Sequence, residues 1–445
     1  MVLCGKTCLI GPEECTLASR EHFWSTSDMI RRMATLLGGS VTGQLVAMAS
    51  AFALTRLYGP EAFAHLEMFA LVTGIGAVLG TGKYEQALML PKSESAAQSL
   101  LWAGQRSVWW TVLIVAALVW PTAGWVAEQW ALEGWWPIAL MLPAFVGFAA
   151  HSRLMEYWHH RHGKAGPVAL ANGGAPLFAE SGKFAAFGSL PFSGLTWGAG
   201  AGLLARWALL RRGVSAAFKA ASPWRSEPLA GTAKAYIDYP TWVLAGSAMN
   251  RLAQWLHVLL LGVALGPVLL GMLGLARRMV MQPLSILAAS AAPVLFKSAT
   301  DLDDGAPLRR LFWQALLAFS LIASGVWISV SLAPDRTTAW LFGEAWFDAM
   351  EVVRLLVPWF ALNFVASGLG SMFHRVQKPR WITALDALHL LVVAAGWWLG
   401  THFPAWFGGN EWGALVGIVQ AKCAYYVVNI AVLIFAVMTH RHADR

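Results

Sequence analysis

Charge is scarce in this chain. Of its 445 residues only 13% are Asp, Glu, Lys or Arg, while 57% are hydrophobic. An ordinary soluble domain carries about 25% charged residues. The shortage excludes intrinsic disorder, because so much apolar surface would collapse. It also argues against one very large soluble core, since such cores stop growing near ~250–300 residues. Cysteine is scarce too. Cys4, Cys8 and Cys15 lie in the N-terminal tail and Cys423 in the last apolar run, at spacings that fit no zinc site or disulfide framework. Free thiols and no bound metal are expected. The phosphate-cradling GxxxxGK[ST] pattern is missing, which argues against ATP as an energy source. Gly74, Gly76 and Gly80 imitate part of a nucleotide loop, but they stand in an apolar run and suit close helix packing. No nucleophile, base and acid fall into a catalytic pattern, so neither an enzyme nor a cofactor is expected.

The N-terminus lacks the charged start, apolar middle and small-residue cleavage site of a signal peptide. Residues 1–28 read as an extension, either disordered or preceding the natural start at Met29, which Arg31 and Arg32 follow.

What the chain has in quantity is apolar length and tryptophan. A membrane-spanning helix takes ~20 apolar residues, and the apolar runs predict an all-α membrane protein of about twelve such helices. Their spans are roughly 33–55, 62–82, 99–120, 135–151, 167–188, 191–210, 236–264, 267–296, 311–332, 353–373, 381–400 and 412–437. The fifth is the weakest, because Gly, Pro, Glu180 and Lys183 interrupt it. The 25 Trp fit the same reading. Pairs such as Trp109-Trp110, Trp135-Trp136 and Trp397-Trp398 stand at or near the ends of apolar runs, where an amphipathic ring suits the bilayer interface.

The net charge of +8 raises the question of nucleic acid. The basic residues gather in short loops, so they read as topology instead and no nucleic-acid partner is expected. Alternate loops hold Arg153, Arg161 and Lys164; Arg211, Arg212, Lys219, Arg225 and Lys234; Lys297, Arg309 and Arg310; and Arg375, Lys378 and Arg380. The opposite loops carry few cations beyond Arg56, Lys183 and Arg336, and hold Glu128, Glu133, Glu344 and Asp348. Lys and Arg favour the cytoplasmic side, so both termini are expected there. The polar connection at 213–234 divides the chain into an N-terminal lobe, 29–212, and a C-terminal lobe, 235–445. Two six-helix lobes around a central cavity are a common transporter plan.

Three stretches carry a family likeness. The first is LTRLYGPEAF, from Leu54, followed by TGKYEQALMLPK, from Thr81. The second runs from YIDYP at Tyr236 through MNRLAQWLHVLLLG, from Met249, to GLARRMVMQPLSIL, from Gly274. The third is LFGEAWFDAMEVVRLLVPWF, from Leu341. In this order, and with this helix count, the chain resembles the polysaccharide flippases of the MOP superfamily, the relatives of the O-antigen flippases. It departs from them at His257, where members often carry Pro, and at Arg251, where an uncharged residue is usual. The resemblance implies two six-helix lobes and alternating access. It implies a bacterial inner-membrane flippase moving a polyprenyl-pyrophosphate-linked oligosaccharide from the cytoplasmic to the outer leaflet for cell-surface polysaccharide biosynthesis. Membrane lipids, a polysaccharide polymerase and chain-length proteins are the further partners implied. The alternatives are a multidrug or other small-molecule exporter on the same fold, or a membrane polysaccharide polymerase or ligase. Short outer loops, roughly twenty residues or fewer, count against the enzyme.

Charges inside a membrane are costly and are candidates for function. Arg277 and Arg278 lie about eleven residues into the eighth span, ~16 Å along it, and fit a pyrophosphate clamp or, alternatively, pairing with a buried acid. Neighbouring positions diverge, so only one of them is expected to face a cavity squarely. Asn250 and Gln254 share a helix face beside Arg251; these three suit sugar hydroxyls and phosphate, or interhelical hydrogen bonding. Arg56 and Lys83 match charged positions of the resembled family at opposite ends of the first two helices, and they complete the substrate-binding set. Asp386, Glu85 and Glu67 are the candidates for a coupling proton or sodium ion. For Glu180, pairing with Lys183 is the plainer reading. His159, His160 and His162 read as a solvated basic loop rather than a metal site.

Overall fold

A peptide group in hydrocarbon finds no water, so each apolar run closes its hydrogen bonds within itself and becomes a helix. The computed structural model describes residues 26–439 apart from Ala131, 215–217, 219–230, 232–233, 301, 303–304, 377–378 and 409–411. Most of the 1–28 extension and of the 213–234 connection therefore lies outside the described residues. Among the described residues there are twelve long helices and no strand.

The first six are α1 (Thr26–Leu57), α2 (Pro60–Gly80), α3 (Glu94–Gln129), α4 (Trp135–Arg161), α5 (Ala165–Ala186) and α6 (Gly194–Arg211). The next two form one continuous helical stretch bent at Gly266, whose φ of 78° no regular helix holds. Glycine tolerates that angle, and Pro267 starts the next limb. The limbs are α7 (244–265) and α8 (267–300), the second passing through the π-helical turn Arg277–Met281. The last four are α9 (Ala306–Leu332), α10 (Ala349–Leu369), α11 (Pro379–His402) and α12 (Gly413–Thr439).

Several helices outrun their apolar segments. α3 starts at Glu94 because Ser93 caps it, its hydroxyl oxygen accepting from the Ala96 N–H at 3.3 Å. α4 continues ten residues past the expected end at 151, to Arg161. Apolarity marks only the part of a helix that hydrocarbon covers; caps and polar turns mark its true ends. Eight stretches are long and apolar enough to cross a membrane by length and composition, and one of them, Tyr239–Ala292, holds α7 and most of α8. α5 is not among the eight, in keeping with Glu180 and Lys183 inside it.

The helices pack as two bundles. In the first, α1 lies on α5, α5 on α6, α4 on α6, and α3 and α2 on α4; in the second, α11 lies on α12, α9 and α12 on α10, and α7 on α11. Small residues allow the closest approaches. Gly39 faces the Ala169 backbone, and Gly396 and Gly417 face each other between α11 and α12. Outward faces are apolar, with Trp109, Leu113, Leu118, Leu317, Leu321 and Leu332 exposed. A lipid-facing surface requires this and an aqueous one would not tolerate it.

The bundles meet where α2 lies along the bent α7–α8 stretch. A Cβ added at Gly271 would fall on the Pro60 carbonyl oxygen, so backbone touches backbone there. Gly271→Val is expected to cost about 1–3 kcal/mol through overpacking. The measurement is the melting temperature of detergent-solubilised protein, and an unchanged melt would show that the two helices part freely.

Candidate functional site

Glu67 of α2 is buried at this junction and draws both arginines of α8 to itself. Arg277 Nη1 lies 2.7 Å from Glu67 Oε2, and Arg278 Nη2 lies 3.7 Å from Oε1. The expected divergence of the two side chains is reduced because they open a π-helical turn, which narrows the angle between successive residues. The surroundings separate them again. Arg277 lies 4.3 Å over the Trp255 ring and Arg278 5.7 Å over Phe63. Arg278 also lines a 260 Å³ cavity between α1 and α8, with Gln44, Met48 and Gln282. Three sequence candidates, one acid and two arginines, thus form one triad with a net positive charge.

A second cluster forms one helix length away. Gly82 and Lys83 both take left-handed backbone angles, φ 59° and 62°, and turn the chain out of α2. For a residue with a Cβ this costs roughly 1–2 kcal/mol, and such strain collects at functional positions. It holds the buried Lys83 Nζ 4.0 Å from Glu85 Oε1, with Arg153 Nη2 of α4 at 3.4 Å from the same oxygen. The Thr81 hydroxyl donates to the other oxygen. Arg251 approaches from α7, close enough to interact electrostatically with both Lys83 and Arg153. It has no ion-pair partner of its own among the described residues. Burial pushes the Lys83 ammonium below its ordinary value; Glu85 opposes that shift, and Arg153 and Arg251 add to it. Three cations from both bundles therefore gather beside one carboxylate, which Lys83 and Arg153 engage and Arg251 does not.

The remaining candidates divide between a polar pocket and the opposite end of the bundles. Asn250 donates to Asp386 at 2.7 Å, and Gln254 donates to Asn250 at 2.9 Å. They line a 270 Å³ cavity within the second bundle, together with Asn363, Ser367 and Asn429. Arg56 donates to the Trp340 carbonyl at 3.2 Å. Beside it the Trp346 indole donates to the Thr55 carbonyl at 2.8 Å, fastening the bundles at the end away from Lys83. Lys183 and Glu180 pair at 2.6 Å, and Gly76 and Gly80 pack against Val146 and Ala150 of α4. His159 holds the Leu210 carbonyl at 2.9 Å.

Sequence reasoning missed two cations. Arg153 looked like a loop residue because the apolar run stops before it. Lys422 stands inside the apolar run of α12, a signal that was legible. It is 1% exposed, its Nζ 4.2 Å over the Trp359 ring, which also meets His257 at 4.9 Å.

Comparison with known proteins places this architecture. The model of a family described as polysaccharide biosynthesis proteins matches residues 197–351. The amylovoran biosynthesis protein AmsL of Erwinia amylovora is 23% identical over 176 residues, 38% of this chain and 44% of that protein. The match thus spans less than half of that relative. Among solved structures, an inward-facing multidrug resistance MATE family transporter of the MOP superfamily superposes with a TM-score of 0.71 at 14% identity, covering 91% of this chain and 96% of that one. The lipid II flippase MurJ in an inward closed conformation gives 0.67 at 12% identity, covering 92% and 88%. The chain shares the two-lobe helical fold of those two solved membrane proteins. In sequence it is similar to polysaccharide biosynthesis proteins over part of its length.

Proposed function

We propose that this chain is a flippase that carries a polyprenyl-pyrophosphate-linked oligosaccharide from the cytoplasmic to the outer leaflet of a bacterial inner membrane. The two lobes, 29–212 and 235–445, rock about the junction of α2 with α7 and α8. The observation that carries this reading is the surplus of cations between the bundles: Lys83 and Arg153 share the Glu85 carboxylate, and Arg251 stands near both without an acid of its own among the described residues. Such a set matches a pyrophosphate, whose charge must be neutralised while it crosses hydrocarbon. A multidrug exporter on this fold would want a more apolar space. The family match to polysaccharide biosynthesis proteins supports a saccharide cargo. Similarity to inward-facing and inward closed relatives supports an arrangement closed at the Arg56–Trp346 end.

Asp386, with Asn250 and Gln254, is the favoured seat of the coupling proton or sodium ion in this scheme, since its cavity offers one carboxylate and several amide and hydroxyl groups. A polymerase and chain-length proteins are the partners that would receive the product. The test is uptake of a lipid-linked oligosaccharide by proteoliposomes. An imposed ion gradient should drive it without nucleotide, and Asp386→Asn should lose the response to the gradient while cargo binding persists. Transport that requires ATP hydrolysis by this chain alone would refute the reading.

A further inference from the structure

We propose that a groove on the first bundle binds one anionic diacyl phospholipid, separately from any cargo. The groove has a volume of 640 Å³ and runs along α4, between α3 and the end of α6. Its floor is one face of α4: Leu140, Ala144, Gly147, Phe148 and His151 stand at helical spacing. Depth comes from small residues. A Cβ at Gly147 would stand only 3.1 Å from Val112, and Ala144 is exposed at the base. Trp109 and Trp120 of α3 form one wall, 63% and 45% exposed.

The lining has two ionisable side chains, His151 and Arg211, and no acid. Arg211 closes one end, its guanidinium 5.0 Å over the Trp207 ring, which in turn lies 5.4 Å from Phe148. Arg212 is exposed next to it. Glu156, further along α4, is already held by Arg206 at 2.8 Å and does not neutralise this end. An aromatic trough with a basic end is complementary to a hydrocarbon chain with a phosphate head. Basic pockets between membrane helices at a Lys/Arg-rich surface take anionic head groups for this reason. A zwitterionic lipid would bring a second cation towards Arg211. The lining comes from the first bundle and the segment after α6, none of it from α7 to α12, so a lipid seated here can stay while the bundles move. That separates it from the carrier lipid of a cargo.

The test uses the full chain purified in mild detergent. Native mass spectrometry should find one phosphatidylglycerol retained per chain. Adding phosphatidylglycerol to delipidated protein should raise the melting temperature, and phosphatidylcholine should not. Arg211→Gln should weaken the phosphatidylglycerol response about fivefold, the effect of one cation near an anionic head group. Ala144→Phe should abolish retention by filling the trough. Both positions are exposed, and normal membrane abundance with an unchanged helical circular dichroism spectrum checks the fold. Retention by both variants equal to that of the parent would overturn the proposal. So would equal stabilisation by phosphatidylcholine, which marks ordinary annular lipid, or displacement of the bound lipid by a polyprenyl phosphate. The outcome does not depend on whether the chain transports an oligosaccharide.

Discussion

Arg251→Ala is expected to remove most transport while leaving the protein as stable as the parent or slightly more so. Arg251 stands beside two other cations, Lys83 and Arg153, and the single carboxylate among them, Glu85, is already shared by those two. Deleting an arginine that has no ion-pair partner strands no acid and relieves like-charge repulsion. A residue kept for folding would behave in the opposite way. If the cluster holds a phosphate, the loss is one charge-assisted set of hydrogen bonds, worth about 1.5–3 kcal/mol. That corresponds to roughly a 10- to 100-fold fall in transport. Arg251→Lys keeps the charge but loses the forked geometry and should retain partial activity. The measurement is complementation of a flippase-deficient strain, with membrane abundance and melting temperature followed in parallel. Full complementation by Arg251→Ala would remove the cluster from the mechanism.

The second large effect is a division between two neighbours in sequence. Arg277→Ala is expected to lower abundance, and Arg278→Ala to lower transport at normal abundance. Arg277 makes the closer contact with Glu67, 2.7 Å, and covers Trp255. Its side chain is only 18% exposed and that of Glu67 5%, so removing it leaves a buried carboxylate with one distant partner. Breaking such a pair costs on the order of 3 kcal/mol, enough to deplete a marginal membrane protein. Arg278 stands at 3.7 Å from the same acid and faces the cavity between α1 and α8. Its removal leaves the stronger half of the triad in place, and the cavity loses its cation. The double substitution Glu67→Gln with Arg277→Gln should raise abundance above that of Arg277→Ala, because the buried carboxylate is removed together with its closer partner. If Arg277→Ala and Arg278→Ala behave alike in both measurements, the assignment of separate roles is wrong.

These effects also mark how far the residues could be read in advance. Intramembrane charge singled out Arg251, Arg277, Arg278 and Asp386, since a charge in an apolar run announces itself by its solvation cost. The same rule applied to Lys422 would have found it. The rule could not pair the charges. Glu67 and Arg277 are 210 positions apart, and the contact exists only because α2 packs along the bent α7–α8 stretch. Arg153 escaped notice for a related reason: the helix runs on past its apolar segment and carries the residue back to Glu85. Glu85 and Glu67 both drew attention as places for a coupling cation, and each turns out to sit against arginine or lysine.

Taken alone, the sequence determined what solvent the chain lives in, and with it the helical class, the approximate number of passes and the division into two halves. Those follow from local quantities: apolar length, breaker residues such as Gly266 and Pro267, and the alternation of basic loops. Tertiary structure decided which charges meet, which of two adjacent arginines faces a cavity, and that Asn250 reaches Asp386. The reason is physical. Transfer into hydrocarbon depends on each segment's own composition, so it is legible residue by residue. Coulombic and hydrogen-bond partners depend on distances of a few ångströms between segments far apart in the chain, and close helix packing sets those distances after the segments have formed.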